Sequence, residues 1–268
     1  MTDQLGKRMK EQYEIRTRTY LPRRTYTILR LDGKAFHTFT RGMKRPYDED
    51  FMCMMDETAL ALVSEIQGAQ FAYVQSDEIS LLLTDFDKIT TDAWFDGQVQ
   101  KMVSVSASLA TVKFNQLILK HIIHKKLYDC EFDGSMTRIE MLDLIDETKL
   151  AEFDSRVFTI PDPVEVENYF IWRQKDAVRN SLSMHAQSLY SHKELNGKSQ
   201  VDMHDMIHEK GENWNDLPDG FKRGRTIKYM SFKDFDDSNR KSVWEIVTPD
   251  FLKEREILTK LIPSIEYD

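Results

Sequence analysis

The sequence contains little cysteine: Cys53 and Cys130 are the two cysteines among its 268 residues. Two cysteines so far apart in the chain do not indicate a disulfide framework, and free thiols are typical of reducing compartments. We therefore expect a cytoplasmic protein. Cys53 lies between the methionines of a predicted helix, so we expect it in the helix core rather than as a nucleophile.

Long apolar runs are also missing. The run ISLLL, residues 79–83, is among the longest, whereas a membrane-spanning helix needs ~20 predominantly apolar residues. The amino-terminal stretch MTDQLGKRMKEQYE is polar and charged, and it lacks both the apolar segment of a signal peptide and the pattern of a transit peptide. We therefore expect no membrane partner.

Several catalytic motifs are absent as well. No GxxxxGKS/T segment occurs, which excludes an ordinary P-loop, and no GxSxG segment indicates a hydrolase nucleophile. The chain has no internal repeat, low-complexity tract or proline-rich linker. The simplest prediction is one cooperative unit that spans residues 1–268.

Acidic residues dominate the net charge of −8, which at first argues against a nucleic-acid partner. Residues 129–154, however, contain nine acidic residues against two basic ones, so the rest of the chain is close to neutral. We predict that this segment is an acidic surface insertion, in which Thr137 and Glu140 form the capping box of a helix. Local basic clusters, and not the total charge, then decide whether phosphates bind.

The stretch TYTILRLDGKAFHTF, residues 25–39, predicts a buried strand that ends in Asp32 and Gly33. Residues 71–84, FAYVQSDEISLLLT, predict a β-hairpin with Asp77 and Glu78 at or near its tip. If the hairpin lies beside the strand, Asp32 and Asp77 converge. Paired carboxylates with oxygen donors favour Mg²⁺ and two-metal phosphoryl or nucleotidyl transfer; the alternative is that both are ordinary polar turns.

The remaining pattern predicts an α+β fold. Apolar residues recur at helical spacing over residues 4–14, from Asp48 to Gly68, over 92–125, from Asp162 onwards and over 199–208. Further strands are predicted at 156–160 and 225–232. A strand, a helix and then a hairpin is the order of a ferredoxin-like antiparallel sheet with helices on one face.

Two histidine groups could instead bind a metal. His204, Asp205 and His208 resemble a zinc-binding helix, although Asp replaces the usual Glu and no third ligand is evident nearby. His121 and His124 precede Cys130, but they lie at a predicted helix end, where cations suit the helix dipole. We expect the histidines on the surface.

Five motifs, in order, resemble the tRNA(His) guanylyltransferase family, which adds nucleotides to the 5′ end of tRNA. They are RLDGKAFHTFTRG with RPYD, then QSDEIS, FDSRVF and YFIWRQKDAVRNS, and the similarity covers most of residues 4–230. Eukaryotic members carry HINNLYN after WRQxD, whereas residues 178–184 here read VRNSLSM. That stretch, with SHKELNGKS at 191–199, is similar to the guanylyltransferase-like branch, template-dependent 3′–5′ polymerases associated with tRNA 5′-end repair.

The resemblance implies a polymerase palm-like fold, with a palm-like core at 1–128, the acidic insertion at 129–154 and a C-terminal part at 155–268 that completes the core and contacts tRNA. It also implies that the protein binds two Mg²⁺ ions and uses ATP or GTP as the activating nucleotide. The implied catalytic residues are Asp32, Asp77 and Glu78; the metal ligands are Asp32, Gly33 and Asp77; and the nucleotide-binding residues are Asp32, Gly33, Lys34, Ala35, Phe36, His37, Ser76 and Asp77.

The family usually assembles as a homotetramer, which the resemblance implies for this chain too. Basic residues near the site are expected to contact tRNA phosphates, with solvated surface charge as the alternative. They are Arg16, Arg18, Arg23, Arg24, Arg179, Lys222, Arg223 and Arg225. Two other functions stay open: addition of a single G to tRNA(His), and an inactive RNA-binding module on the same fold.

Overall fold

A computed structural model describes residues 3–129, 138–233 and 240–265. Within these residues six strands form one sheet, and helices cover it. The strands are β1 (Tyr26–Gly33), β2 (Ala69–Gln75), β3 (Glu78–Leu83), β4 (Phe153–Ile160), β5 (Arg225–Lys233) and β6 (Arg240–Val247). The helices are α1 (Gln4–Met9), α2 (Phe36–Phe39), α3 (Glu49–Glu65), α4 (Val99–Asp129), α5 (Arg138–Glu147), α6 (Pro163–Leu189), α7 (His192–Leu195), α8 (Gln200–Glu209), α9 (Asp219–Arg223) and α10 (Arg255–Leu261).

The strand order is β4-β1-β3-β2-β5-β6, and every neighbouring pair is antiparallel. Strands β3 and β2 lie at the centre, β1 lies beside β3, and all six residues of β3 are buried. The predicted α+β class and the predicted hairpin are therefore confirmed. Strands β4, β5 and β6 come from the second half of the chain, so the sheet needs residues from both halves.

Helices cover both faces of the sheet, whereas the sequence pattern predicted helices on one face. Alternate residues explain the difference, because successive side chains of a strand point to opposite faces. Leu29 and Leu31 of β1 pack with α3 and α4, while Tyr26 and Ile28 pack with α6 and α10. A sheet buried on both faces gives the near-continuous apolar strands that the sequence shows.

Helix α3 follows its sequence pattern closely. The Asp48 carboxylate accepts a hydrogen bond from the Phe51 backbone N–H at 3.0 Å, so Asp48 caps the helix as predicted. The predicted apolar stripe, from Phe51 to Ile66, is buried. Cys53 is different: it was expected in the core, but it lies on the exposed face of α3, and Asp56 is buried on the inner face instead.

Helix α4 begins at Val99, seven residues later than predicted. Residues 95 and 96 have positive φ, and the backbone N–H of Val99 bonds to the carbonyl of Thr19, so this stretch turns to meet residues 19–21. By length and composition, residues Val99–Lys126 could cross a membrane, with a mean hydropathy of 1.3. In the fold, the inner face of this helix packs on β4 and α3 through Met102, Ala110 and Phe114.

The first helix does not bury its apolar side chains. Helix α1 and the helical turns after it extend to Thr17, as the pattern over 4–14 predicted, but Leu5, Met9 and Tyr13 are all exposed. Part of the acidic segment forms α5, while Thr137 of its predicted capping box lies outside the described residues. The strand β4 begins at Phe153, inside the range predicted for the insertion.

A smaller apolar cluster holds the C-terminal end of α6. Leu182 and Ala186 of α6 pack against Ile207 of α8 and against Trp214. The Ser181 hydroxyl donates to the carbonyl of Lys222 at 3.2 Å and accepts from the Trp214 indole N–H at 3.2 Å. These bonds fix α9, and hence the start of β5, against α6.

Gly224 sets the entry into β5, and we expect it to tolerate no side chain. Its φ is 78° with ψ of −178°, a region that only glycine populates readily. A Cβ there would lie 2.5 Å from the Tyr73 hydroxyl and 2.7 Å from the Val74 carbonyl. Gly224→Ala should lower the free energy of unfolding by at least about 2–3 kcal/mol, measured by urea denaturation.

Gly197 provides the matched control. Its φ is 75°, yet a Cβ there would meet no atom within 4 Å. Gly197→Ala should therefore show only the conformational term of about 1–2 kcal/mol. Equal destabilisation by the two substitutions would contradict the role given to the contacts with Tyr73 and Val74.

Candidate active site

The two predicted carboxylates lie at the same end of the neighbouring strands β1 and β3. Asp32 is at the end of β1, and Asp77 is in the two-residue turn that joins β2 to β3. Antiparallel pairing places Asp32 opposite Glu78, and the Gly33 N–H donates to the Asp77 carbonyl at 3.1 Å. The sheet therefore brings together the strand end and the hairpin turn, as the sequence predicted.

The surroundings of Asp77 disfavour its charged form. Burial is the first cause of its raised pKa, and repulsion from Asp32 and Glu78 adds to it, while hydrogen bonds from Ser76 and from its own backbone act in the opposite direction. Mutual repulsion between Asp32 and Asp77 is expected of two carboxylates that face one site. A bound cation would remove this repulsion.

A pocket of about 510 Å³ opens beside the carboxylates. Seven of the eight residues predicted to bind the nucleotide line it, and Lys34 is the exception. The seven are Asp32, Gly33, Ala35, Phe36, His37, Ser76 and Asp77. The structure thus brings the two predicted motifs together around one cavity whose volume suits a small ligand.

The loop after β1 has a constrained shape. Ala35 has φ of 55°, and the short helix α2 starts directly after it. The Phe36 ring is buried among Phe51, Phe114 and Phe153, with ring centroids 5.1–6.0 Å apart. A Cβ on Gly33 would lie 2.2 Å from this ring, which explains the glycine. Phe36 therefore anchors the loop, whereas His37 is exposed.

Lys34 points away from the pocket. Its side chain is 69% exposed and its ammonium group lies 2.5 Å from Glu152, which raises the pKa of Lys34. Its backbone N–H also bonds to the Glu152 carbonyl, at 2.8 Å. Contact between Lys34 and a nucleotide stays a prediction, and it would require the pair with Glu152 to open.

Glu78 has a structural partner in the core. Its two carboxylate oxygens accept from Arg173 Nε and Nη2 at 2.8 and 2.7 Å, and both side chains are buried. The family resemblance implies a catalytic role for Glu78, but Glu78 does not line the pocket. We assign it the positioning of β3 against α6; a direct catalytic role stays a prediction that its geometry does not favour.

The far wall of the pocket was not predicted from the sequence. It includes Tyr47 and Phe221, whose rings lie 5.2 Å apart, together with Asn180 of α6 and Arg225 of β5. These residues come from four separate parts of the chain. A basic residue can contact a phosphate in a pocket or on the surface of the protein. The sequence pattern does not show in which of these two places Arg225 lies.

The basic residues predicted to contact RNA differ in exposure and in ion pairing. Arg16 and Arg179 are exposed, although Arg179 pairs with Asp176. Arg18 pairs with Glu14, Arg23 with Asp85, and Arg223 with Asp219 and Asp250, while Arg24 is exposed. Lys222 and Arg225 are buried, and their ion-pair partners are Asp219 and Asp56. Their burial does not favour the phosphate contacts predicted for Lys222 and Arg225, and RNA contact by the other residues stays a prediction.

The alternative metal sites gain no support. Among the described residues no group of three His, Cys, Asp or Glu side chains could hold a metal ion. His204 stacks edge-on against Trp214, with ring centroids 5.6 Å apart, and His121 lies 3.7 Å from Asp50. Cys130 lies outside the described residues.

The donor set at Asp32 and Asp77 fits Mg²⁺. Two carboxylates with a backbone carbonyl at Gly33 offer hard oxygen ligands, and Mg²⁺ usually binds through one or two carboxylates while substrate phosphates and water complete its octahedron. A site with two protein carboxylates is thus incomplete by itself. It calls for a phosphate-bearing ligand in the adjoining pocket.

An antiparallel sheet with two carboxylates at the end of adjacent inner strands, beside a pocket of this size, is the arrangement expected of a palm-type nucleotidyltransferase. The chain belongs to the tRNA(His) guanylyltransferase family: the model described as tRNAHis guanylyltransferase matches residues 6–161. Members of this family are nucleotidyltransferases, so the chain is an enzyme of that class.

Two curated relatives span most of the chain. An uncharacterized protein of Acanthamoeba polyphaga mimivirus is 30% identical over 87% of this chain and 80% of the relative. The tRNA(His) guanylyltransferase of Debaryomyces hansenii is 27% identical over 81% of this chain and 79% of the relative.

Solved structures extend the similarity to nearly the whole chain. A bacterial tRNA(His) guanylyltransferase-like protein in complex with ATP is 39% identical, with a TM-score of 0.79 over 97% of this chain and 99% of that one. A bacterial tRNA(His) guanylyltransferase-like protein in complex with GTP is 38% identical, with a TM-score of 0.76 over the same shares.

We expect Asp77→Asn to stabilise the free protein at neutral pH. A raised carboxyl pKa means that the folded state holds the proton more tightly than the unfolded state, so ionised Asp77 destabilises the fold as pH rises through that pKa. The neutral amide removes this cost, by about 0.5–1 kcal/mol in urea denaturation at pH 7 without divalent metal. The gain should vanish below the pKa of an unfolded aspartate, about 3.9.

Asp85→Asn is the matched control. Asp85 is also buried, but its carboxylate accepts from Arg23 Nε at 2.6 Å and from the Arg24 N–H at 2.8 Å. Its substitution should therefore destabilise the protein. A loss of stability in Asp77→Asn at pH 7 would show that the charge at Asp77 is compensated by groups other than a bound cation.

Proposed function

We propose that this protein is a template-dependent 3′–5′ polymerase that adds nucleotides to the 5′ end of tRNA and thereby repairs truncated ends. The observation that carries the proposal is the convergence of Asp32 and Asp77 on a pocket that two separate sequence motifs line. Bacterial guanylyltransferase-like proteins solved with ATP and with GTP support nucleotide binding in this pocket.

In the proposed enzyme, Asp32, Asp77 and the Gly33 carbonyl hold Mg²⁺ ions, which would neutralise the phosphates and lower the barrier to attack on phosphorus. The backbone of residues 33–37 and the Ser76–Asp77 turn hold the triphosphate. Phe36 fixes the loop from the core side, and the pair Glu78–Arg173 fixes the hairpin. ATP or GTP would activate the 5′ phosphate before a nucleotide is added.

The motif after WRQ supports the repair branch over strict tRNA(His) specificity. Residues 178–184 lack the HINNLYN of the eukaryotic members, and Ser181 within that stretch bonds to Lys222 and Trp214. Curated relatives named tRNA(His) guanylyltransferase favour the second candidate, the addition of a single G. A homotetramer and a cytoplasmic location stay part of the proposal.

The activity test uses 5′-truncated tRNAs that carry each of the four bases opposite the missing position. With Mg²⁺, NTP and labelled nucleotides, the wild type should add the complementary nucleotide in every case. Asp77→Asn and Asp32→Asn should lose at least about 10²–10³-fold in rate, because charge stabilisation of the transition state is lost. Asp87→Asn, at an exposed position outside the pocket, is the control.

The outcomes separate the candidates. Addition of G regardless of the opposing base identifies a tRNA(His) guanylyltransferase. Retention of tRNA without incorporation at any Mg²⁺ concentration identifies an inactive RNA-binding module. Wild-type rates in Asp77→Asn would exclude the assigned carboxylates.

The exposed arginines provide a separate test of RNA binding. Phosphate contacts release counterions, so the logarithm of the affinity falls linearly with the logarithm of salt concentration. Arg16→Gln combined with Arg179→Gln should weaken tRNA binding and reduce that slope by about 1–2 units. An unchanged slope across several salt concentrations would exclude both residues from the RNA surface. Arg8→Gln, on the exposed helix α1, is the control, because it also removes one positive charge.

A further inference from the structure

Trp172 of α6 is a large aromatic residue that the fold leaves exposed. The exposed fraction of Trp172 is 49%, whereas Phe170 and Arg173 beside it on the helix are buried. Single exposed apolar residues are common on protein surfaces. The neighbours of Trp172 therefore decide whether its ring is a binding surface.

The indole ring is held in place from below and from one side. The Arg173 guanidinium lies over the ring, 4.4 Å from its centroid, and the Tyr169 ring meets it nearly edge-on at 5.9 Å. Both supporting residues are themselves fixed, because Arg173 bonds to Glu78 and the Tyr169 hydroxyl lies 2.9 Å from the Ser80 hydroxyl. The orientation of the exposed ring is thus set by the fold.

Trp172 lies close to the carboxylates but outside the pocket. Glu78, which Arg173 binds, follows Asp77 in the chain and is the register partner of Asp32. Trp172 is not among the residues that line the pocket. Nucleotidyl transfer needs two reactants at the carboxylates, and a group on Trp172 would lie beside them without occupying the nucleotide site. This is a suitable place for the RNA.

The helix face that carries Trp172 is basic. Lys175 and Arg179 follow it by three and seven residues, so all three side chains lie along one exposed stripe of α6. The acid within this stripe, Asp176, accepts ion pairs from Arg173 and from Arg179. The stripe therefore combines an aromatic ring with positive charge, which complements a polyanion.

The sheet adds positive charge on the side that α6 covers. Arg30 of β1 and Arg156 of β4 are register partners, and they share the face of Ile28, which packs with α6. Like charges directly opposite each other destabilise a sheet. Asp32 and Asp154 lie 3.9 and 3.5 Å from Arg156 and offset part of this repulsion. An anionic chain beside α6 would offset more of it.

An exposed aromatic ring among basic residues is the arrangement that binds single-stranded nucleic acid. The cations follow the backbone, and the ring stacks on an unpaired base. A tRNA shortened at its 5′ end carries such bases by necessity, because the opposite strand loses its pairing partners. The substrate of the proposed reaction therefore supplies a ligand of this chemistry.

We propose that Trp172 stacks on an unpaired base of the 3′ strand, beyond the shortened 5′ end, and holds this strand on α6 while the duplex end reaches Asp32 and Asp77. Arg173 acts as a positioning residue beneath the ring. Stacking tolerates every base, because each base has a π face, so the contact suits addition to ends of different sequence. The inference rests on the proposed function, because it requires RNA as the second reactant.

The binding test uses the full chain and a hairpin RNA that copies a 5′-shortened acceptor stem. The second unpaired base of its 3′ strand is 2-aminopurine, whose fluorescence falls when it stacks. The wild type should quench the probe. Trp172→Ala should abolish most of the quenching and weaken binding about tenfold, the loss expected for one stacked base. Trp172→Phe keeps a ring and should retain most of both.

Val164→Ala is the control for the loss of exposed apolar surface on α6. Val164 is exposed on the first turn of the helix and does not line the pocket. Neither the quenching nor the affinity should change in this variant.

The kinetic test compares hairpins whose 3′ strand carries either several unpaired bases or the templating base alone. The wild type should show a KM about tenfold lower for the longer strand. In Trp172→Ala the KM for the longer strand should rise to that of the shorter one, while kcat stays the same, because the stacked base lies outside the reacting centre.

Unchanged quenching in Trp172→Ala would overturn the proposal. An equal loss of rate with both hairpins would overturn it in favour of a structural role through Arg173 and Glu78. A lower molar mass of Trp172→Ala in light scattering would overturn it in favour of an interface between copies of the chain. A wild type that quenches the probe but adds no nucleotide would contradict the proposed function instead, so the two failures are distinguishable.

Discussion

The antiparallel pairing of β1 with β3 is the constraint on which the site depends. Its register places Asp32 opposite Glu78, and the tight turn before β3 then leaves Asp77 next to the end of β1. A shift of one residue would turn every side chain of a strand to the other face. Because both faces of this sheet are buried, such a shift would also disrupt two cores, so the packing that stabilises the fold fixes the distance between the carboxylates.

Three carboxylates lie close together at this edge of the sheet, and they differ in burial and in their basic partners. Glu78 is neutralised by two hydrogen bonds from Arg173, while Asp77 carries a raised pKa because burial and like charge act on it together. Asp32 keeps a partly exposed side chain, with Arg156 at 3.9 Å. The two carboxylates that line the pocket are thus less fully compensated than Glu78. Charge left unpaired by the protein is available to a cation, at a cost in the stability of the free state.

Strand and helix positions could be predicted from the sequence where local pattern decides them. The cap at Asp48, the stripe of α3 and the hairpin at residues 71–84 depend on neighbours within one element, and they were predicted correctly. The second helical layer and the start of α4 depend on contacts with distant segments, such as Val99 with Thr19, which no local pattern encodes. The exposure of Cys53 has the same cause. The helical period alone does not show which face of α3 is buried, and the ion pair of Asp56 with the distant Arg225 places Asp56 on the buried face and Cys53 on the exposed one.

For the site, the motifs predicted which residues meet but not what each contacts. Glu78 and Arg225 are both charged groups near the pocket; the family resemblance implies catalysis for Glu78, and the basic pattern predicts RNA contact for Arg225. In the structure, each is held by a buried partner of opposite charge, Arg173 and Asp56, that lies 95 and 169 residues away. The two pairs act in the same way: Arg173 bonds both oxygens of Glu78 and connects β3 to α6, while Asp56 bonds Nε of Arg225 and connects α3 to β5. A charged residue with a buried partner of opposite charge therefore positions the elements around the pocket, and the sequence does not reveal this role because the partner is distant in the chain.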